Sequence, residues 1–339
     1  MNPRSAWVTG GTGFLGSRVV RQLTERAFDV HCLVRSRKAA AALESSLSRE
    51  AASRVTFVFG SLNDPEACRA LAASAPVGYH IASSLSGSAA ALFSANVVAT
   101  RTLLQAVQAS GCQRFVLVSS MSVYGTYHLP KHTVLDEGCP LDPTPQNRDP
   151  YAFSKIVQEQ ICWTARTEWS LPLVVVRPGI IYGPGRDFLS ARVGLKVGPL
   201  MVRLGGSQRL PYTFVDNCAE AVVLAGTQEG IDGESFNIID DELPTGRELI
   251  RERRRHGGRL PTIGVPLWAV LPMARLYTSY ANHSEGQLPS ILTPYRAAAQ
   301  WNTLRYSNVK AKARLNWTCR TSLSDGLRLT WESRSAGSR

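Results

Sequence analysis

The run Thr9-Gly10-Gly11-Thr12-Gly13-Phe14-Leu15-Gly16 lies between a β-rich segment at 6–9 and a helical pattern at 14–25. No other stretch restricts the fold as strongly. Gly10 permits a sharp turn, Gly13 removes a side chain where a pyrophosphate must approach the backbone, and Gly16 allows helix and strand to pack closely. The helix that follows offers its first free N–H groups to phosphate oxygens. Glycine-rich turns are common in loops, so the strand before this one and the helix after it are what point to a dinucleotide.

The remainder of the first half repeats the same alternation. Strands are predicted at 6–9, 29–34, 54–59, 78–81, 114–119 and 173–176, mostly Val, Ile, Leu and Phe without polar alternation, as expected of strands covered on both faces. Helices are predicted at 14–25, 65–73, 95–109 and 151–167, the second announced by the cap Asp64-Pro65. The fold class that follows is α/β, a Rossmann-type doubly wound parallel sheet. After about residue 176 the chain becomes rich in Gly and Pro at 179–185, 194–206 and 261–272. We therefore expect a nucleotide-binding domain over 1–176, a smaller, loop-rich substrate lobe over 177–331 and a frayed polar tail over 332–339.

With 339 residues, 44% of them hydrophobic, the chain can bury a substantial core. The start, Met1-Asn2-Pro3-Arg4, carries no signal-peptide apolar core, and no apolar run reaches the ~20 residues of a spanning helix. A soluble cytoplasmic protein without a membrane span is expected. The apolar segment 265–277 reads as lobe packing. Seven scattered cysteines form no CxxC pair, and Pro130 between His128 and His132 opposes a shared metal, so no metal site is expected. The net charge of +12 includes the run Arg251-Glu252-Arg253-Arg254-Arg255. It lacks interleaved aromatics and follows a helix start, so it reads as a solvated helix face and not as a nucleic-acid site.

The second strand leads into Arg35-Ser36-Arg37-Lys38. A carboxylate there would take the ribose hydroxyls of NAD. Its absence, together with these cations, favours NADP over NAD, with Arg35 facing the 2′-phosphate.

Tyr151-Ala152-Phe153-Ser154-Lys155 opens a helix behind Asp149-Pro150, and a spacing of four puts Tyr151 and Lys155 on one face. An ammonium beside a phenol favours phenolate and lowers its pKa from ~10, giving a group that exchanges protons with a carbinol or carbonyl oxygen. Ser120, just past the fifth strand, supplies a hydroxyl for the same oxygen. With these motifs in place the chain resembles the extended short-chain dehydrogenases/reductases, also called the NAD-dependent epimerase/dehydratase family. The resemblance runs from about residue 5 to 326. It rests on TGGTGFLG at 9–16, SSMSVYG at 119–125, YAFSK at 151–155, RPGIIYGPG at 177–185 and FVDNCAEA at 214–221.

By that resemblance the protein is an NAD(P)-dependent oxidoreductase. Ser120 is its catalytic hydroxyl, Tyr151 the acid/base, and Lys155 the partner and ribose contact. The cofactor site includes Gly10, Gly13, Phe14, Leu15, Gly16, Leu62, Ala82, Pro178 and Gly179. Asn96 helps to order the lysine side, and Ser61 stands where relatives usually carry an aspartate. The resemblance also implies a strand near 235–239 that returns to the first domain, and a possible homodimer through the helices at 95–109 and 151–167.

Met121-Ser122 replaces the Asp-Glu pair of the dehydratase branch, and no Cys-His pair marks a fucose-synthase type. Arg209, seven residues before Asp216, matches a nucleotide-phosphate contact of nucleotide-sugar epimerases and would touch substrate along with Ser120 and Tyr151. The small-molecule substrate is therefore read first as a nucleotide-sugar, acted on by an epimerase or ketoreductase. Ile180, where those epimerases commonly carry asparagine, supports an alternative: an NADPH-dependent reductase, similar to 3β-hydroxysteroid dehydrogenases, for a less polar alcohol or ketone. A non-catalytic NADP-sensing protein is a third reading, although such proteins typically lose the tyrosine or lysine kept here.

Overall fold

The computed structural model describes residues 4–204, 207–257, 259–283 and 293–336. Parts of the expected start at 1–3, the Gly-rich stretch ending at 206 and the tail at 337–339 lie outside the described residues.

The elements that frame the cleft come in order. They are β1 (Ser5–Thr9), α1 (Gly16–Glu25), β2 (Asp29–Val34), β3 (Val55–Phe59), α2 (Pro65–Ala72), β4 (Val77–His80), α3 (Ala99–Gln108), β5 (Arg114–Val118), α4 (Pro150–Trp169), β6 (Leu173–Pro178), α5 (Val215–Thr227) and β7 (Ser235–Ile238). The strands form one seven-stranded sheet in the order β7-β6-β5-β4-β1-β2-β3. Every neighbouring pair is parallel. The order reverses between β1 and β4, and a crevice opens there at the carboxyl ends of the strands.

Helices cover both faces, which explains the uninterrupted apolar runs. On one face, Val19, Val20 and Leu23 of α1 and Cys218, Val222 and Ala225 of α5 pack with Val8, Val116 and Val174. On the other, Leu71 of α2, Leu103 and Val107 of α3 and Cys162 of α4 pack with Trp7, Phe115, Leu117 and Val175. Each large side chain enclosed in this way contributes about 1.5–3 kcal/mol. After residue 178 the chain crosses back to the sheet, giving it both α5 and β7.

Several details depart from the sequence reading. The helix expected at 95–109 is a continuous run in which Ser94–Val98 forms a π-helical turn between Ala89–Phe93 and α3. By length and composition alone, the stretch Ala89–Gln108 could cross a membrane, but half of its best window is buried in the fold. The substrate lobe is not all loop: Gly194–Val197, Leu200–Leu204 and Thr262–Val265 build a small sheet. Residues 332–336 do not fray. They continue the helix Leu323–Ala336, where Arg334 pairs with Asp187 and lies over Trp331. The apolar segment at 265–277 runs into the helix Leu267–His283. That helix packs Val270 and Ala274 against Ala297 and Trp301, while Trp268 and Leu276 remain outside. The arginine run lies on the helix Gly246–Gly257, with Arg255 paired to Glu252 and Arg253 over Trp331.

Candidate active site

A cleft of about 1200 Å³ runs along the carboxyl edge of the sheet. This exceeds an ordinary small-molecule pocket and suits a dinucleotide with a substrate beside it. It is lined by Gly10, Gly13, Phe14, Leu15, Gly16, Arg35, Leu62, Ala82, Ser120, Tyr151, Lys155, Pro178 and Gly179.

The glycine turn has the geometry a pyrophosphate requires. Gly10 has φ +72°, and a Cβ there would lie 2.7 Å from the Ala82 nitrogen. At Gly16 a Cβ would lie 2.0 Å from the Gly10 carbonyl oxygen, so helix and turn touch backbone to backbone. No side chain caps α1 at Leu15, and the amides of Ser17 and Arg18 already donate to the Gly13 and Leu15 carbonyls, so an anion in the cleft meets the helix at its first residue, Gly16, and the turn before it. These residues fit a nicotinamide dinucleotide.

At the end of β2 the three polar residues separate. Arg35 is exposed and lines the cleft. Ser36 is occupied as the cap of the helix Arg37–Ser45, accepting from the Ala39 amide at 3.2 Å, and Arg37 lies over the Phe59 ring. Of the three, only Arg35 faces the cleft. Next to it, the Ser61 hydroxyl accepts from the Asn63 amide.

Helix α4 starts sharply because Asp149 caps the Ala152 amide and Pro150 occupies the first turn. This sets the partly buried Tyr151 in the cleft wall against Ser120. The Ser120 hydroxyl already accepts from the Ser122 amide at 3.1 Å, closing a short turn after β5. Burial pushes the Tyr151 phenol up to about 12. The hydrogen bond with Ser120 and the charge of Arg186 work against that rise, while Asp149 adds to it.

Lys155 lines the same cleft one helical turn beyond Tyr151. It is buried, and its Nζ donates to the Val118 carbonyl at 2.8 Å and to Gln158 Oε1 at 2.6 Å. Tyr151 and Lys155 lie one turn apart on α4, with the ammonium engaged by Val118 and Gln158. Burial lowers Lys155 to about 8, with Glu159 and Cys162 opposing. A buried polar chain continues inward. Gln158 Nε2 donates to Thr100 Oγ1 at 2.8 Å, His80 Nε2 lies 2.8 Å from the same hydroxyl, and His80 Nδ1 lies 2.8 Å from Thr9 Oγ1. Burial brings His80 down to about 3, helped by the Lys155 charge, so the ring is neutral. The lysine is thus tied to the end of β1, where the glycine turn begins.

Asn96 sits fully buried in the π-helical turn and does not line the cleft. It accepts from the Ser84 amide at 2.7 Å and donates to Ser154 Oγ at 2.9 Å, so it ties the loop after Ala82 to α4 and leaves Lys155 to Gln158. Such turns recur at functional sites because they re-aim one side chain within a helix.

Arg209 is not brought to the cleft. It is exposed, paired with Glu248 at 3.2 Å, and donates to the Leu243 carbonyl at 2.8 Å. The loop after the strand Ile180–Tyr182 lines the substrate side instead, through Arg186, Leu189 and Arg192, with Arg296 close by. Sequence reasoning did not single out these residues. The one signal available was the position of Arg186 directly behind the RPGIIYGPG run.

With this geometry in hand, the comparisons with known proteins agree on the frame. The model of the NAD dependent epimerase/dehydratase family matches residues 6–238. The 2-alkyl-3-oxoalkanoate reductase of Stenotrophomonas maltophilia is 29% identical, covering 95% of this chain and 96% of the relative. The mouse (Mus musculus) sterol-4-alpha-carboxylate 3-dehydrogenase, decarboxylating, is 27% identical over 90% and 84%. Among solved structures, UDP-glucuronic acid 4-epimerase from Bacillus cereus, in complex with UDP-glucuronic acid and NAD, aligns at a TM-score of 0.72 and 21% identity. It covers 98% of this chain and 99% of its own, and shares the fold.

Proposed function

The chain belongs to the NAD-dependent epimerase/dehydratase family, and from that premise we propose that it is an NADP-dependent reductase or dehydrogenase acting at the carbonyl or carbinol carbon of a largely apolar substrate. The observation that carries this reading is the lining of the substrate end, where Ile180, Ile181 and Leu189 stand beyond Pro178 and Gly179. Apolar walls with a few convergent polar groups suit a hydrocarbon-rich ligand. Arg209, the residue that favoured a nucleotide phosphate, stands outside the cleft lining and pairs with Glu248. The two relatives described above also support the reading, because one is named for an alkanoate and the other for a sterol.

In this reading the cofactor, when bound over the glycine turn, supplies or accepts the hydride. Tyr151 holds the proton that the carbonyl oxygen takes up in reduction. A phenol raised to about 12 by burial keeps that proton at neutral pH. Ser120 spends a lone pair on the Ser122 amide and turns its own proton toward the reacting oxygen. Lys155, Gln158 and His80 hold the floor of the site rigid. Arg35 selects the 2′-phosphate.

A nucleotide-sugar epimerase remains the second reading. It is favoured by the excess of arginine along the cleft, from Arg35 to Arg192 and Arg296, which would suit a diphosphate. Incubating the protein with NADPH or NADH and either a medium-chain ketone series or UDP-sugars separates the two. Cofactor oxidation with the ketones supports the reductase. Interconversion of UDP-sugars without net cofactor turnover rejects it.

A further inference from the structure

We propose that Arg186 is the receptor for a carboxylate on the substrate, and that this protein acts on acids with an apolar tail, such as a 3-oxoalkanoate or its 3-hydroxy form. The inference rests on the reductase reading and names its substrate class.

Arg186 follows the turn that ends the RPGIIYGPG segment, and its amide donates to the Gly183 carbonyl at 2.9 Å. Its guanidinium carbon lies 4.5 Å from the centroid of the Phe14 ring, in the glycine turn on the opposite wall. The cation is thus held across the mouth of the site, where it is only partly exposed. Among the described residues no carboxylate lies within ion-pairing distance of it. The adjacent Asp187 pairs with Arg334 and is not available. Burial pulls Arg186 down and the Tyr151 phenol pulls it back up, so the two groups sense each other's charge.

A partly desolvated guanidinium with no anion of its own leaves fork-shaped donors unmatched, and these fit a carboxylate in two parallel hydrogen bonds. Arg186 lines the same cleft as Ser120 and Tyr151, so a carboxylate held by it lies on the substrate side of the site. Ile181 and Leu189 on the same wall receive the hydrocarbon remainder. The arrangement selects for an acid head and an apolar tail, and it rejects a neutral analogue because the cation is then left partly dehydrated without a partner.

The test is oxidation of 3-hydroxydecanoate and of its methyl ester by NADP in the wild type and in Arg186→Gln and Arg186→Lys. The wild type is expected to prefer the acid in kcat/KM by on the order of 10- to 100-fold. Arg186→Gln is expected to bring the ratio of acid to ester close to one, mainly through the KM of the acid, with the Kd of NADP unchanged. Arg186→Lys should restore part of the preference. Oxidation of the ester as well as the acid by the wild type overturns the carboxylate assignment and leaves the reductase standing. A raised Kd for NADP in Arg186→Gln with the acid preference intact also overturns it, since the arginine then serves the cofactor phosphates. Conversion of UDP-sugars with neither the acid nor the ester oxidised overturns both readings.

Discussion

Replacing Arg177 with methionine should destabilise the protein by about 4–6 kcal/mol. Arg177 and Glu159 form a fully enclosed pair beneath the carboxyl ends of β5 and β6, with side chains 5% and 0% exposed. Glu159 accepts from both Nε and Nη2 of Arg177, from Ser119 Oγ at 2.6 Å and from Trp163 Nε1 at 3.1 Å. Arg177 Nη1 donates to the Tyr124 hydroxyl at 2.8 Å, which donates to Asn237 of β7. Burial pulls the guanidinium down, and Glu159 beside it more than reverses that. Removing one partner of such a pair typically costs ~3–5 kcal/mol, because the other charge stays buried alone. The lost bond to Tyr124 adds about 1 kcal/mol. Urea denaturation of wild type and Arg177→Met reads the difference. In a Glu159→Gln background, where no charge is left buried alone, the same substitution should cost much less. A loss below about 1 kcal/mol in the wild-type background, or one just as large in the Glu159→Gln background, would refute this reasoning.

Arg35→Asp should lower the ratio of NADP to NAD affinity by on the order of 100-fold, read by fluorescence titration; unchanged relative affinities would remove Arg35 from the phosphate site. The pH profiles follow from the sign of the tyrosine shift. Because burial pushes Tyr151 up to about 12, the protonated form that reduction needs is full throughout the neutral range, and the reductive kcat should be flat there. The deprotonated form that oxidation needs is scarce at neutrality and grows as pH rises, so oxidative kcat/KM should climb with pH. A reductive rate falling away near neutral pH would contradict the tyrosine as proton donor.

What was legible in the sequence was whatever local chemistry imposes. The glycine turn shows because Gly10 and Gly16 leave no room for a side chain, and the strands show because burial on both faces forces unbroken apolar runs. The start of α4 shows because Asp149 and Pro150 are a cap and a first-turn proline. What was hidden depends on segments distant in the chain. Spacing puts Lys155 on the face of Tyr151, but it does not show the bonds to Val118 on a neighbouring strand and to Gln158 one turn on. The family resemblance puts Asn96 on the lysine side of the site, and only the structure shows the π-helical turn that aims it at Ser84 and Ser154. Arg209 keeps the right distance along the chain from Asp216, yet Glu248, 39 residues on, holds it at the surface. Arg186 acquires its place only when its loop folds across to Phe14, 172 positions earlier, and no periodicity or motif spacing records such a contact.

Tyr151→Phe tests the centre of the account most directly, because it removes one oxygen and leaves the ring. Turnover of whichever carbonyl or carbinol substrate proves active should fall by about 10³-fold or more, while the Kd for the dinucleotide stays within about threefold. Activity in that variant close to wild type would mean that the proton comes from elsewhere and that the site is not built around this phenol.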